Sequence, residues 1–314
     1  RRHGVTGRAA AVARRPVGHI SDGTRGEKRD HSGGRTRWLI GTALAALGWR
    51  AAVTAVMARE NRGMLRSAWT TVNGLRLHAL VPVEADVRHG VPPVVCVHGA
   101  NVSGAYMIPT GVRLLPTFRV LLPDLPGYGR SDKPRRILDV PALADVLVAW
   151  MDAVGIECAA LLGNSLGCQI ATDIAARHPE RVSHLILVGP TVDPGARTAR
   201  QQIGRLLWDA LRERRTLILL AQLDYLRAGP RRVAGTLGVA LRDRIEDKLP
   251  RVTAPTLVVR GGRDVLVPQH WAEEVTRLLP NARLVVVPES AHAVNYSRPD
   301  ELAAAVRQFL DVTA

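Results

Sequence analysis

Gly163-Asn164-Ser165-Leu166-Gly167 supplies the pattern Gly-x-Ser-x-Gly. A serine hydroxyl is a weak nucleophile near neutral pH, so it needs a base to take its proton and an acid to hold that base. Both types lie downstream, Asp264 in Arg260-Gly261-Gly262-Arg263-Asp264 and His292 in Pro288-Glu289-Ser290-Ala291-His292. With Ser165 as nucleophile, His292 as base and Asp264 as orienting acid, the chemistry is acyl transfer. The hydroxyl attacks a carbonyl, the adduct collapses to an acyl-enzyme, and water activated through His292 releases it. A base of this kind is expected to titrate at roughly 6 to 7.5.

Residues so far apart in sequence meet only if rigid elements carry them. An apolar run, Ala159 to Leu162, precedes Ser165, and an amphipathic stretch, Leu166 to Arg177, follows it. A strand, sharp turn and helix in that order lift the serine into an exposed, strained position, and Gly163 and Gly167 leave room where side chains would collide with neighbouring elements. Thr256 to Val259 leads to Asp264, and Leu284 to Val287 leads to His292.

The wider chain repeats this alternation. Thr70 to Val72 and Leu75 to Val81 flank Asn73-Gly74, a two-residue hairpin signal. Val94 to Val97, Arg119 to Leu122 and Leu185 to Val188 complete eight strand candidates. Val140 to Val154, Trp271 to Leu279 and Glu301 to Leu310 are further helices. Apolar strands alternating with helices predict an α/β fold: a mostly parallel eight-stranded sheet with helices on both faces and its chemistry at the strands' carboxyl ends. Residues 191–250 hold no strand pattern. There Ile203, Leu206, Leu207, Ala210 and Leu211 form the stripe of an amphipathic helix, and Thr216 to Leu226 is another helical candidate. The expected organisation is a core of 67–190 and 251–314 with a helical cap at 191–250 over the sheet's active edge.

Residues from about 68 to 312 resemble the α/β-hydrolase superfamily, cap included. The chain order Ser165, Asp264, His292 is that family's order. Two more of its signatures are in place: His98-Gly99-Ala100-Asn101 after one strand, and Asp124-Leu125-Pro126-Gly127-Tyr128-Gly129-Arg130-Ser131-Asp132 after the next. The resemblance implies an oxyanion hole made by the backbone N–H groups of Ala100 and Leu166, with Asn101 a weaker candidate. Such donors stabilise the negative oxygen of the tetrahedral intermediate. His98 reads as a brace under its loop and Asp124 as a turn stabiliser. Asp193, after the preceding strand, is the minor alternative for the acid. Cys168 reads as packing, and the cap arginines read as a solvated face more readily than as a site for an anionic substrate.

A serine in this turn argues against the relatives that use a carboxylate nucleophile, such as epoxide hydrolases and haloalkane dehalogenases. The expected activity is hydrolysis of a carboxylic ester or lactone by way of an acyl-enzyme. Carbon-carbon hydrolysis of the ring-cleavage type ranks second, because Gly-Asn-Ser-Leu-Gly also resembles those enzymes. They usually carry Gly after the motif and Trp after the histidine, where this chain has Cys168 and Ala293. Thioesterase, acyltransferase and non-catalytic ligand-binding roles are further alternatives. The expected partner is a small acyl substrate. No cofactor or metal is called for: there is no GxxxxGK[ST] or GxGxxG loop, and Cys96, Cys158 and Cys168 form no zinc spacing.

The formal charge of +15 does not make this a nucleic-acid binder. Residues 1–37 hold ten Lys/Arg against three Asp/Glu, so seven of the fifteen net charges sit in a Gly/Arg-rich stretch with the composition of a disordered leader. The leader is expected to span 1–66 and to include an apolar segment at 38–58. That segment is long enough for a bilayer, but Arg50 at its centre costs about 2.5 to 3.5 kcal/mol and roughly cancels its aliphatic residues. A cytoplasmic protein is expected, with membrane anchoring or export through this segment as the alternative.

Overall fold

A computed structural model describes residues 55–83 and 91–313, together with 51 and 53. The basic leader and most of the apolar segment at 38–58 lie outside these residues. A short helix, α1 (55–61), buries Met57, and Asn61 exchanges two 2.9 Å hydrogen bonds with the backbone of Leu65, where the first strand begins. The domain therefore starts earlier than the expected boundary at 67. One buried methionine and a half-polar edge strand give too faint a periodicity to read.

The sheet is formed by β1 (Leu65–Val72), β2 (Leu75–Pro82), β3 (Val94–Val97), β4 (Val120–Pro123), β5 (Ala159–Asn164), β6 (Val182–Val188), β7 (Thr256–Gly261) and β8 (Ala282–Val287). Their order across it is β1-β2-β4-β3-β5-β6-β7-β8. β1 with β2 and β2 with β4 are antiparallel, and all other neighbours are parallel. Asn73 and Gly74 both take positive φ, 50° and 77°, so the first hairpin closes through the mirror-image turn that suits twisted strands.

Successive strand residues enter opposite cores. Val95, Val97 and Leu161 belong to one apolar cluster, whereas Val94, Cys96, Ala160 and Leu162 belong to the other. Full burial on both faces is why these strands read as unbroken apolar runs. One face carries α3 (Val140–Ala153), α4 (Leu166–Arg177) and α8 (Gln269–Leu278). The other carries α2 (Ile108–Leu114) and α10 (Pro299–Thr313), with the short α9 (Val294–Ser297) between β8 and α10.

Between β6 and β7 the chain forms α5 (Ala199–Ala210), α6 (Arg215–Ala228) and α7 (Pro230–Arg242). Thr198 and Gln201 make a capping box at the start of α5, and Pro230 opens α7 straight after Gly229 at φ 80°. The expected amphipathic helix exists, but it is turned over. Gln202 and Asp209 are its buried residues, while Ile203, Leu206, Leu207 and Leu211 are exposed. These helices are tied down by polar links: Ser103 Oγ donates to Asp224 Oδ2 at 2.6 Å, Gln169 Nε2 to the Ala240 carbonyl at 2.9 Å, and Tyr128 Oη lies 2.5 Å from Thr236 Oγ1.

Candidate active site

The sheet order reverses at β3 and β5. The chain runs outward from β3 to β4 and then returns to the other side of β3, leaving a crevice beyond the carboxyl ends of the two strands. Residues 98–101 leave β3 there, and Ser165 leaves β5. Ser165 is held at φ 55°, ψ −118°, a conformation that L-residues rarely adopt. The two flanking glycines explain why the chain tolerates it. A side-chain carbon on Gly163 would fall on the Gly167 carbonyl, and one on Gly167 would fall on the Val97 carbonyl of β3. The turn is this tight because helix α4 starts in contact with the neighbouring strand.

Leu166 occupies the first position of α4, where a backbone N–H has no acceptor inside the helix. Gly99 closes the other side: a carbon on it would sit 3.3 Å from Ser165 Cβ, so the loop holding Ala100 runs beside the serine. His98 braces that loop, with Nδ1 2.8 Å from the Gly99 carbonyl and Nε2 accepting from Leu125 N–H at 3.0 Å. Burial lowers its pKa, more than offsetting Asp124, so the ring stays neutral in the brace. Asp124 is saturated, accepting from Gly104 N–H at 2.6 Å and Arg130 N–H at 2.8 Å and pairing with His78 Nδ1 at 2.8 Å.

β6 links Ser165 to His292. Ser165 N–H donates to the Val188 carbonyl at 3.1 Å, and a carbon on the next residue, Gly189, would lie 2.8 Å from His292 Cε1 and 3.4 Å from Asp264 Oδ2. The ends of β5, β6, β7 and β8 therefore bring Ser165, Asp264 and His292 into one neighbourhood. His292 Nδ1 is 2.8 Å from Asp264 Oδ2, while Asp264 Oδ1 accepts from the N–H groups of Leu266 and Val267 at 2.8 and 3.0 Å. Arg260, buried in β7, holds this loop by donating to the carbonyls of Val267 and Asp264 at 2.7 and 3.0 Å. Asp193, the minor alternative for the acid, is committed to Arg205 at 2.8 Å and to Gly195 N–H at 2.9 Å. His292 Nε2 is buried and has no hydrogen-bond partner among the described residues, so Ser165 Oγ does not donate to it in this substrate-free arrangement; such contacts are often long until substrate binds.

Two carboxylates here have no counterpart in the sequence reading. Asp209, on the buried side of α5, receives His292 N–H at 3.4 Å, and its Oδ1 has no partner among the described residues. Glu213, just beyond α5, accepts from Ala293 N–H at 2.7 Å and from Ser297 Oγ at 2.6 Å. Burial pushes Asp209 up to about 7, with Asp264 and Glu213 adding to the rise against His292. Burial opposes the imidazolium of His292, but Asp264, then Asp209 and Glu213, outweigh it and lift the ring to about 9. That is above the 6 to 7.5 expected from the sequence, because three carboxylates surround the ring where the triad supplies one. No signal could have revealed Asp209: it lies opposite an apolar stripe, where sequence logic places the solvated face.

Cys168 is packing, its thiol raised by burial and directed at the Gly163 and Val188 carbonyls. Among the described residues, no group of His, Cys, Asp and Glu could hold a metal ion, and no helix is long and apolar enough to cross a membrane.

This geometry defines a class, and comparison with known proteins agrees with it. The model of the alpha/beta hydrolase family matches residues 94–305. The chain belongs to that family and is a hydrolase in kind. It is 30% identical over 247 residues to a pimeloyl-[acyl-carrier protein] methyl ester esterase of Neisseria meningitidis, covering 70% of this chain and 93% of the relative. It is also 30% identical over 248 residues to a 2-hydroxymuconate semialdehyde hydrolase of Pseudomonas putida, covering 69% and 86%. The solved structure of a bacterial membrane phospholipase A is similar at a TM-score of 0.70 and 25% identity, over 88% of this chain and 99% of that one.

Proposed function

We propose that the protein hydrolyses a carboxylic ester or lactone through an acyl-enzyme on Ser165. The observation that carries this reading is the buried Asp264–His292 pair, at 2.8 Å, set beside the strained Ser165 turn. His292 takes the hydroxyl proton at Nε2 as Ser165 Oγ attacks the carbonyl. The backbone N–H groups of Leu166 and Ala100 receive the oxyanion, each worth about 3 to 4 kcal/mol in such a site. Asp264 fixes the ring with its proton on Nδ1 and stabilises the imidazolium, which then protonates the leaving oxygen. Water repeats the sequence to release the acid. Helices α5 to α7 act as the cap that bounds the acyl site and sets substrate range.

The ester name of one relative supports this reading, and the carbon-carbon reading draws on the other relative. Cys168 and Ala293 keep ester hydrolysis first. The test is labelling with a fluorophosphonate and turnover of a panel of short-chain and long-chain esters, lactones and a dienone. Covalent labelling at Ser165, lost in Ser165→Ala and nearly lost in His292→Ala, with ester turnover, is the expected result. Consumption of the dienone alone would transfer the assignment to carbon-carbon hydrolysis, and turnover without labelling would remove Ser165 from the chemistry.

A further inference from the structure

An amphipathic helix normally buries its apolar stripe, because each large aliphatic side chain left in water forfeits its transfer free energy. Helix α5 does the opposite. Leu207 is 66% exposed, Leu211, directly after the helix, 78%, and Trp208 55%, with Ile203 and Leu206 beside them also exposed. An aliphatic and aromatic patch on one helix face marks a surface that something covers.

Charge says what covers it. Arg200, Arg212, Arg214 and Arg215 stand exposed on and around this helix, and the Arg212 guanidinium lies 4.7 Å from the centre of the Trp208 ring. The two acids of residues 199–215 point the other way: Asp209 is buried, and Glu213 is spent on Ala293 and Ser297. The outer face therefore offers apolar side chains with a rim of one sign. A second copy on this face would set arginine against arginine. The basic stretch of the chain's own leader, with ten Lys/Arg against three Asp/Glu in residues 1–37, would meet the same repulsion. An anionic bilayer fits both halves: headgroup phosphates pair with the guanidinium groups while the leucines and Trp208 enter the acyl boundary.

We propose that the outer face of α5, with Leu207, Trp208 and Leu211 at its centre, docks on an anionic lipid surface, the helix lying in the interface plane. The proposal stands apart from the ester-hydrolase reading, since binding is measured without turnover.

Flotation of the full chain with phosphatidylcholine vesicles, with and without phosphatidylglycerol, tests it. Binding is expected only with phosphatidylglycerol and should weaken as salt rises. Brominated lipid should quench a component of the tryptophan emission that Trp208→Phe removes, which places α5 itself in the bilayer. The double variant Leu207→Glu/Leu211→Glu should lose about tenfold or more in vesicle partitioning, with circular dichroism and Tm unchanged. The variant Arg212→Gln/Arg214→Gln should lose the preference for anionic lipid while keeping the same fold signature. Absence of vesicle binding by the wild type, or binding by the double glutamate variant equal to wild type, would overturn the proposal. So would an emission blind to brominated lipid, or a wild-type dimer that the glutamates dissociate.

Discussion

The sheet and the cap bury their residues by opposite logic. In the sheet every strand places aliphatic side chains into one of two dry cores, and its polar residues there are brackets for loops: His98 under Gly99, and Arg260 under the Asp264 loop. In the cap, α5 sends Gln202 and Asp209 inward and its leucines outward. Asp209 Oδ1 is buried without a partner among the described residues, which costs free energy that a leucine in its place would not. Asp209 lies at the backbone of His292, so the inner face of α5 adds to the site's electrostatics, to which the loop after β7 already contributes Asp264.

Removing the chemistry while leaving both regions folded has the largest expected effect. Ser165→Ala should lower kcat by about five to six orders of magnitude, and His292→Ala by nearly as much. The double variant should be scarcely slower than either single one, since residues acting as a unit fail together. Steady-state rates on an ester, with Tm to confirm folding, check this. Additive losses would mean that the two residues do not share a step.

Next comes the acid. Asp264 Oδ1 accepts two backbone N–H groups, so the amide oxygen of Asp264→Asn must take that side and its NH2 must face His292 Nδ1. The ring is then driven to carry its proton on Nε2, the wrong nitrogen for a base, and kcat should fall about 10⁴-fold. Asp193→Asn, which weakens the links to the partly exposed Arg205 and to His270 and lies outside the Asp264–His292 pair, should change kcat little. Equal losses in the two variants would break the assignment of the acid to β7.

A change in the sheet region alone gives the third effect. Gly167→Ala drives a methyl group into the Val97 carbonyl, so α4 must retreat from β3 and carry Leu166 with it. A loss of about 3 kcal/mol is expected from such overpacking, read as a lower denaturation midpoint. Unchanged stability would show that the helix start has slack.

The sheet was legible from the sequence because burial on both faces writes each strand as an apolar run, and because the Ser165 turn needs glycines on both sides. Strand ends shifted by a few residues, and β1 began at Leu65, where alternation with exposed Arg66 and Ser67 blurs the signal. Asp264, His292 and the His98 loop were legible because strands lead straight to them. The cap was legible as helices but not in its orientation. A period-3.6 stripe shows that a helix has two faces and leaves open which one the protein covers, so Ile203 to Leu211 gave α5 without revealing that Asp209 faces His292.

The smallest expected effect tests that orientation. Asp209 rises to about 7 and His292 to about 9, so as pH passes neutrality Asp209 ionises first and helps hold the imidazole protonated. Only neutral His292 can accept the Ser165 proton, so kcat/KM for an ester should climb with pH and reach half of its plateau near 9. In Asp209→Asn that charge is gone at every pH. The imidazolium loses a stabilising neighbour, and the rising limb should move to lower pH by about one unit, or about 1.4 kcal/mol. The sign is diagnostic: at neutral pH the variant should be faster than wild type, with a plateau no higher. Glu213→Gln should move the limb the same way, and the double variant further than either. The profile is measured with a neutral ester whose own hydrolysis is subtracted. A limb unmoved in all three variants would mean that the inward carboxylates serve only to pin the cap, and a shift to higher pH would mean that they do not face the ring as positive charge develops on it.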